Sequence, residues 1–221
     1  MATSEEEPRR TQMLSAALEV IAERGFAETR IADVAERAGV SPALVIYYFK
    51  TKDHLLAEAM RKSEDAWYAE MGRRTSRLPT GPDRLEEVVA MTFLSGLSGT
   101  PGMPEESWAI WLELWARALR DPVVRAVREE FDEHFRQTIR DIVGFGVEHG
   151  EFADVDEDAF AIGFSALLDG LAIQIALDDQ VVNARRAFDV AMRVASRELG
   201  FAWDARHRRG ARRSRGAAAL R

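Results

Sequence analysis

With 221 residues, 47% of them apolar and 30% charged, the chain has the make-up of a globular protein of one large domain or two small ones. It has no cysteine, which excludes disulfides and thiolate metal sites and fits a reducing cytoplasm. Its net charge of −7 argues against a uniformly basic nucleic-acid binder; the seven arginines from Arg206 onward stand without an acid among them, so the remainder is more acidic still. Only local patches can therefore face DNA. The N-terminus, MATSEEEPRR, lacks the apolar stretch of a secretory signal, and no uninterrupted apolar run approaches the ~20 residues of a membrane helix.

Residues 1 to 7 read as disordered. A first helix is expected from about Pro8 to Gly25, with Leu14, Ala17, Leu18 and Ile21 on one face. Arg9 and Arg10 at its start either reach phosphate or stand as solvated charges. Thr29 is the expected N-cap of a second helix carrying Ile31, Val34, Ala35 and Ala38, which Gly39 ends in a left-handed conformation. Ser41 caps a third helix, Pro42 to Phe49, with proline at its first position, where a missing N–H costs nothing. The turn between these two helices has the length of a helix-turn-helix. Leu44, Val45 and Phe49 are expected inward. Ala43, Ile46, Tyr47 and Tyr48 put surface outward beside Lys50 and Lys52, which suits phosphate contacts.

The string A-G-V-S-x-x-x-V-x-Y-Y-F-x-x-K-x-x-L-L, Ala38 to Leu56, resembles the DNA-binding domain of TetR-family transcriptional regulators over roughly residues 8 to 60. The resemblance implies DNA contacts from Thr29, Arg30, Ser41, Pro42, Ala43, Tyr47, Tyr48 and Lys52. Ile46 stands where many members carry an aromatic residue, which shifts the phosphate contact to Tyr47 and Tyr48.

A long fourth helix is expected from Lys52, with Leu56, Met60, Ser63, Trp67 and Met71 as its inner stripe. It links the head, residues 8–74, to a body of residues 75–203. PTGP at 79–82 breaks the chain, a fifth helix runs from about Asp83 to Leu97, and GTPGMP at 99–104 is a loop. In the sixth helix Trp108, Trp111, Leu112, Trp115 and Leu119 share a stripe, with Ile110 and Leu114 as a second apolar edge. Glu113 and Arg117 fall on the far side and are expected in solvent. Such a stripe is either tight core or the wall of a small-molecule cavity. The seventh helix follows Asp121-Pro122 with Val123, Val127, Phe131, Phe135, Ile139 and Ile142 inward. The Gly-x-Gly at 144–146 lies in a helical pattern and is no nucleotide loop.

The eighth helix, about Glu157 to Leu177, carries Phe160, Phe164, Leu167, Leu168, Leu171 and Ile175 on its apolar side. Asp169 and Gln174 interrupt it as buried polar groups, interface groups or ligand contacts. The ninth, about Ala184 to Leu199, shows Phe188, Ala191, Met192, Ala195 and Leu199. Two such apolar helices ask for more cover, and a two-fold pairing into a four-helix bundle supplies it. WLELWARALRDP and ALLDGLAIQIAL resemble the C-terminal domain of the BetI-like branch, which implies that dimer mode. The tail, 204–221, is arginine-rich and reads as disordered.

The expected fold is therefore all-α, a three-helix helix-turn-helix head on a ligand-binding and dimerisation body of about nine helices in total. The expected function is a homodimeric regulator that binds an approximately palindromic operator in double-stranded DNA and, as the resemblance implies, a repressor released by a small molecule. Candidate effector contacts are Trp108, Trp111, Trp115, Phe131, Phe164 and Gln174. No catalytic arrangement, cofactor motif, metal cluster or membrane segment is legible in the chain. A helical enzyme or an interaction module without DNA binding is the alternative.

Overall fold

In the computed structural model, which describes residues 6–94 and 105–203, those residues form nine helices and no strand. They are α1 (Glu6–Arg24), α2 (Ile31–Arg37), α3 (Pro42–Phe49), α4 (Lys52–Thr75), α5 (Gly81–Phe93), α6 (Glu105–Ala118), α7 (Pro122–Glu148), α8 (Glu157–Ala176) and α9 (Ala184–Glu198). Residues 1–5, Leu97, the loop at 99–104 and the tail at 204–221 lie outside the described residues.

The head is α1 to α3 packed on the start of α4. Gly25 at φ +76° ends α1 and Gly39 at φ +62° ends α2, positions where any side chain would be strained. Ser41 accepts from the Leu44 amide at 3.2 Å and Pro42 opens α3, as the local sequence requires. Met13, Ala17, Val34, Val45, Phe49 and Leu56 meet in a dry core beneath α3. The expected cap of α2 is wrong by one residue. Arg30 is the N-cap, and its backbone N–H donates to Asp33 at 2.9 Å. Thr29 is buried instead, its hydroxyl donating to the Gly25 carbonyl at 2.8 Å.

The body is a helical bundle in which α4 packs on α5, α6 and α7, and α7 on α8, while α9 covers α5 and α8. Thr80 caps α5, which starts at Gly81 rather than near Asp83. Two helices keep their expected inner stripes except at one position each. Ser63 is exposed and Glu64 points inward; Val123 is 48% exposed and Val124 is fully buried. Leu119, just past the end of α6, is 76% exposed, because the chain turns into Asp121-Pro122 before it can fold back.

Gly146 shows how closely the body is fitted. A Cβ there would lie 2.1 Å from the Phe152 ring, and one at Gly81 would lie 2.9 Å from the same ring. Gly146→Ala is therefore expected to cost about 2 kcal/mol through overpacking of the α5–α7 junction. Urea unfolding checks this; an unchanged midpoint would mean that Phe152 moves aside freely.

Candidate functional site

Two regions attract attention, an exposed face on the head and a cavity in the body. On α3, Ala43, Ile46, Tyr47 and Lys50 follow at helical spacing along an uncovered stripe, with Ile46 51% and Tyr47 67% exposed. Ser41 and Pro42 are exposed at its N-terminal end, and Arg30 is exposed at the start of α2. Tyr48 is half-buried, edge-on to Tyr47 at 5.5 Å. Lys50, at φ +66°, turns back so that its ammonium donates to the Tyr47 carbonyl at 2.6 Å. Arg10 pairs with Glu58, Arg24 with Asp33, and Arg37 with both Glu19 and Glu23. Arg30 and Lys50 form no ion pair with a carboxylate among the described residues, and both stay available to an anion.

Lys52 is not so available. Its ammonium donates to the carbonyls of Phe26 at 2.8 Å, Thr29 at 2.9 Å and Ala27 at 3.3 Å, and lies 4.3 Å from the Phe26 ring centroid. An ammonium has three N–H donors, and all three are taken. Its role is to tie the α1–α2 turn to the first turn of α4, and the expected phosphate contact is withdrawn. Thr29, buried beneath that turn, is likewise withdrawn as a side-chain contact to DNA.

The cavity, of about 200 Å³, lies between α4, α5, α6, α7 and α8. Trp108, Trp111, Trp115 and Phe131 line it, joined by Trp67, Tyr68 and Phe135. Trp111 meets Phe131 edge-on at 5.4 Å. The two other expected contacts lie elsewhere. Phe164 is stacked on Phe160 at 5.1 Å in the core, and Gln174 is exposed, donating to the Gly170 carbonyl at 3.2 Å.

The charged groups of the cavity are three acids, Glu64, Asp132 and Asp169, and two arginines, Arg128 and Arg136. Asp132 is paired with Arg128, and Arg136 turns to Glu133 at 3.1 Å. Glu64 and Asp169 also line the cavity and make no ion pair among the described residues. Burial pushes Glu64 up to about 8, with Asp65 adding to the effect. Burial pushes Asp169 up to about 6, helped by Asp132 and opposed by Arg128 and Arg136. The Tyr68 phenol is held above its ordinary range by burial and by the Glu64, Asp132 and Asp169 carboxylates. The indole N–H groups of Trp67 and Trp115 are buried without a hydrogen-bond partner. Sequence reading missed Glu64 because the inner stripe of α4 was stepped three residues from Met60, to Ser63, where the structure steps four. Asp169 carried a signal, as an acid in an apolar helix, but nothing ranked it.

One contact joins the two regions. Arg117, expected in solvent, lies at the end of α6 with its guanidinium 3.7 Å from the Phe26 ring centroid. It is also 3.2 Å from Asp53 at the start of α4. Beside it His54 approaches Asp121 at 3.7 Å. The helix that carries the tryptophan wall therefore rests its far end on the head.

This geometry agrees with what the chain is similar to. Residues 13–59 match the model of bacterial regulatory proteins of the tetR family, and residues 82–200 match that of the C-terminal domain of BetI-type transcriptional repressors. The chain belongs to the TetR family. It is 31% identical over 190 residues to the HTH-type transcriptional regulator BetI of Burkholderia cenocepacia strain HI2424, covering 84% of this chain and 91% of that one. A transcriptional regulator from Saccharomonospora viridis, solved in complex with choline, superposes with a TM-score of 0.75 at 27% identity, over 86% of this chain and 97% of that one. A TetR-family regulator from Rhodococcus sp. superposes with a TM-score of 0.72 at 25% identity, over 87% and 99%. The protein is thus a DNA-binding transcriptional regulator of the TetR family with a BetI-type body.

Proposed function

We propose that this TetR-family protein is a dimeric repressor released from its operator by a small organic cation. The observation that carries the reading is the cavity itself, an aromatic cage in which Glu64 has no cation acting on it and Asp169 makes no ion pair among the described residues. Ring faces and an unpaired carboxylate are the groups that recognise a quaternary ammonium. Choline, which the Saccharomonospora viridis regulator holds, belongs to that chemical class.

The head supports operator reading through Arg30, Ser41, Pro42, Ala43 and Tyr47, with Tyr48 behind them. Small residues at the start of α3 let the backbone near base edges, and the tyrosine hydroxyls suit phosphate. For the dimer, α8 is the natural seam. Its most apolar stretch has a mean hydropathy of 1.7 with only 33% of it buried within one chain, and Ile162 and Leu177 stand exposed along it. Pairing α8 and α9 with those of a second copy covers this surface and sets two reading helices about 34 Å apart, or a multiple of that. A regulator of this kind works in the cytoplasm, beside its DNA.

The cation would act through α6. A ligand seated on Trp108, Trp111 and Trp115 sets the position of that helix, and Arg117 at its end carries the change to Phe26 and Asp53. The coupling is limited by the ligand's differential affinity for the two states, typically about 1–3 kcal/mol.

A mobility-shift assay on the chain's own upstream DNA, titrated with choline, tests the reading. The expected result is a shift that choline reverses and that Trp111→Ala makes about tenfold less sensitive to choline while leaving DNA affinity intact. A shift that no quaternary ammonium relieves would sink the cation; no shift at low salt would sink the regulator. Arg117→Ala is expected to bind both operator and choline but to lose most of the release, since the link between them is cut. Full release in that variant would place the coupling elsewhere.

A further inference from the structure

Glu64 has an unusual place in the cavity. It projects from the middle of α4 and is only 6% exposed, against the walls supplied by Trp67, Tyr68 and the α6 tryptophans. Around it, α5 offers only Thr92, a neutral group, and α6 offers only indoles. From α7 come Asp132 with Arg128 already paired to it, and Arg136, which turns to Glu133; from α8 comes Asp169; from α4 itself come Tyr68 and, one residue on, Asp65. The two guanidiniums favour the charged form of Asp169, whereas no cation acts on Glu64. A carboxylate among aromatic faces with no counter-ion keeps its proton.

We propose that Glu64 is the residue that reads the ligand's charge: it is a neutral acid in the empty cavity, and it gives its proton to solvent when an organic cation enters. The O–H bond of the acid breaks, the proton passes to the buffer, and the carboxylate left behind pairs with the ligand. The cavity's net charge is unchanged by the exchange, so its acidic neighbours pay no new repulsion. A neutral ligand of the same shape finds a neutral acid and gains nothing from it. The inference rests on the cation reading above and adds the group that enforces it.

The raised position of Glu64, about 8, sets where this is seen. The affinity for choline should rise close to tenfold per pH unit up to about pH 8 and level off above it. Calorimetry at about pH 7 in buffers of different ionisation enthalpy should show close to one proton released per chain. The uncharged carbon isostere 3,3-dimethyl-1-butanol should release none. Glu64→Gln should lose the proton release and the pH dependence, and bind choline at least tenfold less tightly. Glu64→Asp should keep a proton release at reduced affinity. In the free protein, tryptophan fluorescence should titrate near pH 8 and should not do so in Glu64→Gln.

Choline binding with no proton release and no pH dependence would overturn the role of Glu64 and leave the cation reading standing. A fluorescence transition that survives in Glu64→Gln but vanishes in Asp169→Asn would overturn it too, assigning the proton to Asp169. No binding of choline or of other quaternary ammonium ions would remove the cation reading and this inference with it, whereas the free-protein titration would still report whether Glu64 holds a proton.

Discussion

Replacing Lys52 by methionine is expected to abolish operator binding at every salt concentration by loosening the head. Methionine keeps the length and apolar stem of the side chain but none of its three donors. The carbonyls of Phe26, Ala27 and Thr29, at 2.8, 3.3 and 2.9 Å from the ammonium, are left without it, and the Phe26 ring loses the cation beside it. Hydrogen bonds to a charged group contribute about 1.5–3 kcal/mol each, with less than full additivity in one cluster, so a loss of about 3–5 kcal/mol is expected. Lys52→Arg should not rescue it, because a planar fork cannot converge on three carbonyls as an ammonium does. The body should still bind its effector. A lysine that only held a phosphate would behave differently: stability would be unchanged and the salt dependence of binding would fall by about one counterion. Thermal melting together with a salt titration separates the two, and an unchanged melting temperature with a reduced salt slope would refute the clamp.

The second large effect is a dependence of stability on pH. Glu64 has an ordinary value of 4.5 and stands at about 8 in the fold. For a carboxyl raised by folding, the contribution to stability is fully present below 4.5 and is lost as pH rises through about 8. Each unit of separation corresponds to about 1.4 kcal/mol, so a loss of the order of 3–5 kcal/mol is expected between mildly acidic and alkaline solution. Asp169, raised to about 6, acts in the same direction over a lower range, from 3.8 upward. Glu64→Gln removes the larger part, so the variant should overtake the wild type in stability as pH rises toward 9. Urea unfolding across pH 5 to 9 measures the difference; parallel curves would show that the side chain reaches water in the folded state. Saturating choline should flatten the wild-type curve, since the ligand supplies the missing positive charge.

What was legible in the chain alone was whatever depends on near neighbours. Gly39, Ser41 and Pro42 dictate their turn and cap through their own backbone preferences, so α3 was placed to the residue. Phe188, Ala191, Met192 and Ala195 repeat at helical spacing, and all four are buried in α9. The tryptophan stripe of α6 could be read as a surface, though not as core or cavity, because that depends on what stands opposite.

Tertiary structure decided the rest, and for identifiable reasons. On a helix both the third and the fourth residue after Met60 fall near one face, and the apolar positions of the 24-residue α4 do not say which of Ser63 and Glu64 turns into the cavity; the helices opposite decide it for Glu64. A lysine at a helix start looks like a phosphate ligand until a turn more than twenty residues earlier presents three carbonyls to it. Arg117 looks solvated until the Phe26 ring comes to lie 3.7 Å away. Each of these side chains is long and charged, and a charge takes its role from the nearest partner in space, which may be remote along the chain.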